Sequence, residues 1–125
     1  MSTPEKTRYT AEELVEFKDL ILKKLDDAQR EYQRLKTTLQ DLVASTEDQY
    51  RISEYMGAEQ SEKMQLDQLI SRTIKYIDAL NRALIRIENG TYGICKVTGK
   101  LIPKERLLAV PVAETLVEVK EKRGG

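Results

Sequence analysis

One thiol is available for chemistry in this chain, Cys95, and no histidine stands anywhere to serve it as a base or to share a metal with it. A nucleophile needs a base within hydrogen-bond reach and a disulfide needs a second sulfur, so neither can be assembled within the chain. Gly90 and Gly93 are spaced as a turn, not as a phosphate-cradling loop. The residues therefore speak against an enzyme, and Cys95 taken alone reads as a small buried hydrophobe. Two charged groups remain. Glu47, Asp48 and Glu54 lie among Tyr50, Ile52, Tyr55 and Met56, an acidic segment that also offers aromatic and apolar contact area. Lys100, Lys104 and Arg106 cluster beside a turn, where such side chains most often serve solubility.

The elements that position these groups are legible upstream. Residues 1–8 are polar and read as a loose arm, with residues 1–9 as a flexible N-terminal segment. Tyr9, Thr10, Glu13 and Leu14 then make a helix start: Thr10 caps the Glu13 N–H, Glu13 reaches back, and Tyr9 staples onto Leu14. Apolar residues follow at Ile21, Leu25, Ala28, Tyr32, Leu35, Leu39 and Leu42, in alternating steps of four and three. That is the spacing of a coiled-coil seam. Lys23, Lys24, Asp26, Asp27, Gln29 and Arg30 fill the solvated face.

Leu66, Ile70, Thr73, Ile77, Leu80, Leu84 and Ile87 repeat the alternation, up to a helix stop at Asn89-Gly90. Neither seam can stay exposed. Folding the second helix antiparallel onto the first buries each Leu or Ile for about 1.5–3 kcal/mol. The expected fold is mainly α, a long antiparallel two-helix coiled-coil hairpin over residues 10–89. The heptad lapses over residues 44–62, which are read as the tip. With roughly 30 residues per helix at about 1.5 Å each, the tip would stand some 45 Å from the base.

Residues 90–125 differ in texture. Glycines alternate with apolar residues, Pro103 opens a helical turn through Leu108, and Pro111 stops it. The segment Ala113 to Lys122 is read as helix or strand. Ile94, Val97, Leu101, Ile102, Leu107, Leu108, Val110, Leu116, Val117 and Val119 are expected to form a small core around Cys95.

Lys plus Arg equals Asp plus Glu at 21 each, so no net field draws the chain to nucleic acid or to an anionic membrane. No apolar run suggests a membrane span and no leader pattern opens the sequence, so a cytoplasmic protein with a protein partner is expected.

The stretch Arg86-Ile87-Glu88-Asn89-Gly90-Thr91-Tyr92-Gly93-Ile94-Cys95, with Gly99-Lys100-Leu101-Ile102-Pro103, Arg106-Leu107 and Ala109-Val110-Pro111, resembles the C-terminal module of the DksA/TraR family of bacterial transcription regulators. In that family the module follows a long helical hairpin. Its two Cys-x-x-Cys pairs bind one zinc, and the matching positions here are Cys95 and Thr98, then Leu116 and Val119. A threonine hydroxyl and two aliphatic side chains cannot stand in for thiolates, so a degenerate zinc finger that folds without zinc is expected.

The resemblance also implies a use for the hairpin. Family members bind RNA polymerase through its secondary channel and modulate initiation without binding promoter DNA, with acids at the tip near basic groups or Mg²⁺ of the enzyme. Paired aspartates of the family fall on Ile52 and Tyr55, so Glu47, Asp48 and Glu54 are expected to supply the tip charge, with Tyr50, Ile52 and Tyr55 as contact area. Some members bind guanosine tetraphosphate together with polymerase. Lys120 matches one contact, whereas Val110 and Ala79 replace basic residues, which counts against joint nucleotide sensing. Lys100, Lys104 or Arg106 could substitute. A monomer is expected. The alternatives are a structural or adaptor coiled coil pairing between molecules, and a paralogue with a different target.

Overall fold

The chain becomes helical where its capping residues dictate. The computed structural model describes the backbone over residues 6–48 and 53–116, and side chains over residues 6–44 and 61–116. The Thr10 N–H donates to Glu13 Oε1 at 2.9 Å and the Glu13 N–H donates to Thr10 Oγ1 at 3.1 Å, the reciprocal box expected from the sequence. Lys6 adds an ion pair to the same carboxylate. The Lys6 hydrogen bond, then the Thr10 N–H, hold the Glu13 carboxyl down at about 2. Its folded pKa is depressed, so its contribution is complete above the ordinary value of 4.5 and is lost as the pH falls through about 2. Thr10→Ala should cost about 1 kcal/mol. Glu13→Gln should melt below the parent at neutral pH and converge with it in acid; melting curves that stay parallel from neutrality to acid would contradict this role.

Helix α1 spans Ala11–Asp48 and α2 spans Ser53–Asn89. Both seams follow the expected spacing. Ile21, Ala28 and Leu35 are buried on α1 and Leu80 on α2, while Leu25, Tyr32, Leu39, Leu66, Ile70, Ile77 and Leu84 are half-buried. Both helices run into the interval 44–62 where the heptad lapses, α1 as far as Asp48 and α2 from Ser53. Ala44, Glu47, Glu54, Met56, Ala58, Glu59 and Glu62 are good helix formers, so helix persists without a seam, and Gly57 within α2 costs about 1 kcal/mol relative to alanine. Helix α2 stops as its sequence requires. Gly90 adopts φ 77°, its N–H donates to Ile87 O, and the Thr91 N–H donates to Arg86 O at 2.9 Å, a Schellman closure.

The chain divides into two compact units, Leu25–Asp78 and Met1–Lys24 with Ala79–Gly125. In each, a stretch of α1 accompanies an antiparallel stretch of α2 from the same chain. The first unit contains only this helix pair among its described residues, trimmed on its surface by the pairs Arg30–Asp26, Arg34–Glu31 and Lys63–Asp67.

The second unit is the base. Its core comprises Tyr9, Phe17, Ile21, Leu80, Ala83, Tyr92, Cys95, Ile102, Leu107 and Ala113. Phe17 takes the Tyr9 ring edge-on at 5.1 Å and the Tyr92 ring, tilted, at 5.2 Å. Each phenol is fixed by a carbonyl: Tyr9 donates to Ile102 O, and Tyr92 donates to Pro111 O at 2.7 Å.

This core corrects the one expected around Cys95. Val97, Leu108 and Val110 are 53%, 53% and 40% exposed. Val97 occupies the middle of a tight turn closed by the Gly99 N–H on Cys95 O. Leu108 lies on the outer side of α3, Lys104–Ala109, whose inner side is Leu107, and Val110 caps that helix. Val117 and Val119 lie outside the described residues. Residues 113–116, expected as helix or strand, are neither. Among the described residues the only sheet-like contact is one antiparallel bridge, Ile94 with Leu101, and no helix is long and apolar enough to cross a membrane.

Candidate functional site

Two groups of expected site residues fall in different places. Glu47 and Asp48 form the last turn of α1, and Glu54 and Tyr55 belong to the first turn of α2. The four thus flank residues 49–52 on helical backbone. Their side chains, and Tyr50 and Ile52 entirely, lie outside the described residues, as does Lys120.

The other group surrounds Cys95. The Cys95 N–H donates to Lys100 O at 2.8 Å and its carbonyl accepts the Gly99 N–H at 2.8 Å, so the chain curls around the sulfur. The Thr98 N–H reaches Sγ at 3.5 Å. Burial pushes the thiol up, but hydrogen bonds from the Thr98 hydroxyl and from the N–H groups of Thr98, Val97 and Leu116 outweigh it and hold the group at about 7. These donors favour the thiolate, the form in which a cysteine binds metal. The rest of the ligand set does not follow. Thr98 offers a hydroxyl, and its oxygen already accepts the Lys100 N–H at 3.2 Å. Leu116 is aliphatic, and Val119, also aliphatic, lies outside the described residues. One thiol and one neutral hydroxyl do not fit a tetrahedral zinc site. Among the described residues no cluster of three or more Cys, Asp or Glu side chains offers another.

The basic residues beside the turn are partly engaged within the base. Arg106 Nε donates to Thr115 O at 2.8 Å, and Lys104 pairs with Glu16 at 3.5 Å. Lys100 is exposed and lines a recess with Lys6, Thr7, Gly99, Leu101 and Leu116. Ala79 is half-buried in α2, and Val110 carries no charge.

One group escapes sequence reasoning altogether. Glu114 Oε1 accepts Lys96 Nζ at 3.0 Å, while Oε2 accepts Arg86 Nη1 at 3.1 Å and lies 3.8 Å from Arg82 Nε. Burial pushes its carboxyl up, but Lys96, Arg86 and Arg82 together hold it below the ordinary range. Arg86 also stands over the Tyr92 ring at 6.0 Å. Its buried Nη2 has no hydrogen-bond partner among the described residues. Arg82 and Arg86, one turn apart on α2, were the available signal; nothing local points to Glu114.

Comparison with known proteins gives the frame for these features. The profile of the prokaryotic dksA/traR C4-type zinc finger matches residues 90–115. The chain is 47% identical over 57 residues to General stress protein 16O of Bacillus subtilis, covering 42% of this chain and 35% of that protein. It is 33% identical over 85 residues to the RNA polymerase-binding transcription factor DksA of Caulobacter vibrioides, covering 68% of this chain and 59% of the factor. These alignments thus span less than two thirds of either relative. The structure of transcription factor DksA2 from Pseudomonas aeruginosa superposes with a TM-score of 0.73 at 28% identity, over 89% of this chain and 82% of that one. A matching finger module, homology that runs back into the helices and a shared fold over most of the length agree on one assignment: the chain belongs to the DksA/TraR family.

Proposed function

We propose that this protein is a cytoplasmic, monomeric regulator of transcription that binds RNA polymerase, presents the α1–α2 hairpin to its secondary channel and modulates initiation without contacting promoter DNA. The observation that carries the reading is the fold shared with DksA2 over 89% of the chain, seam and base included. The equal numbers of basic and acidic residues support a protein partner over DNA, since duplex binding gains its affinity from cations that displace phosphate counterions. The protein itself performs no chemistry. Glu47, Asp48 and Glu54 supply negative charge at the tip, and Tyr50, Ile52 and Tyr55 supply contact. The base holds no zinc, because the residues at the ligand positions cannot bind it. Val110 and Ala79, at positions where the family carries basic residues, count against joint sensing of guanosine tetraphosphate.

Co-purification of tagged protein tests the partner: polymerase subunits should be recovered, and their absence would overturn the reading. The tip is tested separately. Replacing Glu47, Asp48 and Glu54 together by alanine should leave polymerase recovery largely intact and abolish the effect on transcription in vitro. Unchanged regulation by that triple variant would remove the acids from the mechanism while leaving the partner in place.

A further inference from the structure

In a C4 finger of this family, the metal would join the segment of residues 95–98 to that of residues 116–119. Here another bond set spans nearly the same interval. The Lys96 N–H donates to Glu114 O at 2.9 Å, and the Lys96 ammonium reaches the Glu114 carboxylate at 3.0 Å. Lys96 lies between the first two ligand positions, and Glu114 stands two residues before the third. The same carboxylate then reaches further than a finger metal would, to Arg86 and Arg82 on α2.

We propose that Glu114 is the tether that replaces the metal of this base, joining the Cys95 loop, the segment leading to Leu116 and the end of α2 through one carboxylate. The inference rests on the zinc-free reading above. Its physical basis is the position of the group. Isolated surface pairs contribute little because water competes and two long side chains must be held in one geometry. Glu114 avoids both costs in part: its side chain is 25% exposed, that of Arg86 is 20% exposed, and three cations share one acceptor. Arg86 is further fixed by the Tyr92 ring. The partners are therefore unequal. Arg86 holds most firmly, Lys96 follows with a short bond from an exposed stem, and Arg82, at 3.8 Å and 59% exposed, holds least. Ligation is then no longer asked of the leucine and valine at the last two ligand positions. Cys95 keeps its donor cage as a buried acceptor.

The test measures two quantities on the full chain: metal content by elemental analysis, and amide hydrogen exchange at Cys95, Lys96, Gly99 and Ile102. Glu114→Gln keeps the shape and removes the charge. It should speed exchange at these amides about tenfold, the loss expected for hydrogen bonds to a charged group, and leave the amides of residues 25–44 unchanged. Lys96→Met should give a smaller increase, and Lys96→Met with Glu114→Gln should be no worse than Glu114→Gln alone. Unchanged protection in metal-free Glu114→Gln protein overturns the tether and leaves the zinc-free reading intact. One zinc per parent chain overturns the zinc-free reading itself. If Glu114→Gln unfolds the whole chain, Lys96→Met decides: faster exchange confined to the four amides supports the tether, and parental exchange overturns it.

Discussion

Phe17→Ala should destabilise the protein by about 3–5 kcal/mol, as expected for truncating a fully buried aromatic side chain. Phe17 is the sole phenylalanine of the chain, 1% exposed, and its ring stands between Tyr9 and Tyr92. The cost of a core truncation depends on how far the neighbours can collapse into the space left behind. Here they are held back. Tyr9 is anchored through its hydroxyl to Ile102 O and Tyr92 to Pro111 O, so neither ring can fill the cavity without giving up a buried hydrogen bond. Two ring contacts, each worth about 0.5–1.5 kcal/mol beyond area, go at the same time. Denaturant unfolding followed by near-ultraviolet tyrosine dichroism measures the loss where it occurs. Val15→Ala, two residues away and 56% exposed, is the control and should stay within about 0.5 kcal/mol of the parent. A Phe17→Ala protein as stable as Val15→Ala would show that the three rings do not organise the base.

The helices could be read in the sequence because their signals are local and repeated. Steps of three and four leave only one face for Ile21, Ala28, Leu35 and Leu80 to bury, and the Thr10–Glu13 box and Gly90 mark ends that need no tertiary partner. The base was less legible for the opposite reason. Its contacts join residues far apart: Tyr9 bonds Ile102 across 93 positions and Arg86 bonds Glu114 across 28. No period announces such pairs. Within residues 90–116 the backbone turns decide which apolar side chain faces inward, so hydrophobicity alone selected Val97, Leu108 and Val110, which are exposed, and passed over Tyr92 and Ala113, which are buried. Of the candidate sites, the Cys95 position was legible from its motif, since the glycines and the Tyr-Gly pair that shape the turn survive without the ligands. The tip was legible only as composition.

Gly93→Ala should cost about 2–4 kcal/mol, and the reason separates what the Tyr-Gly pair does from metal binding. Gly93 has φ 82°, a left-handed conformation that costs an L-residue roughly 1–2 kcal/mol. A Cβ there would also lie 2.6 Å from Cδ2 and Cε2 of Tyr9, and the ring cannot retreat while its hydroxyl is tied to Ile102 O. Overpacking of this kind adds about 1–3 kcal/mol. Gly90 supplies the control. Its φ of 77° is nearly the same, but nothing lies within 4 Å of the added Cβ. Gly90→Ala should therefore show the backbone penalty alone, and the difference between the two variants in denaturant unfolding reports the Tyr9 contact. In a Tyr9→Ala background the added cost of Gly93→Ala should fall to that of Gly90→Ala. Equal costs for the two glycines in the parent would mean that Tyr9 yields freely and that the close approach has no energetic weight. With the expected difference, Gly93 is kept open to admit a tyrosine from the N-terminal segment. That packing requirement persists whether or not thiolates stand at the ligand positions, so the turn of the finger is held by a contact that does not depend on metal.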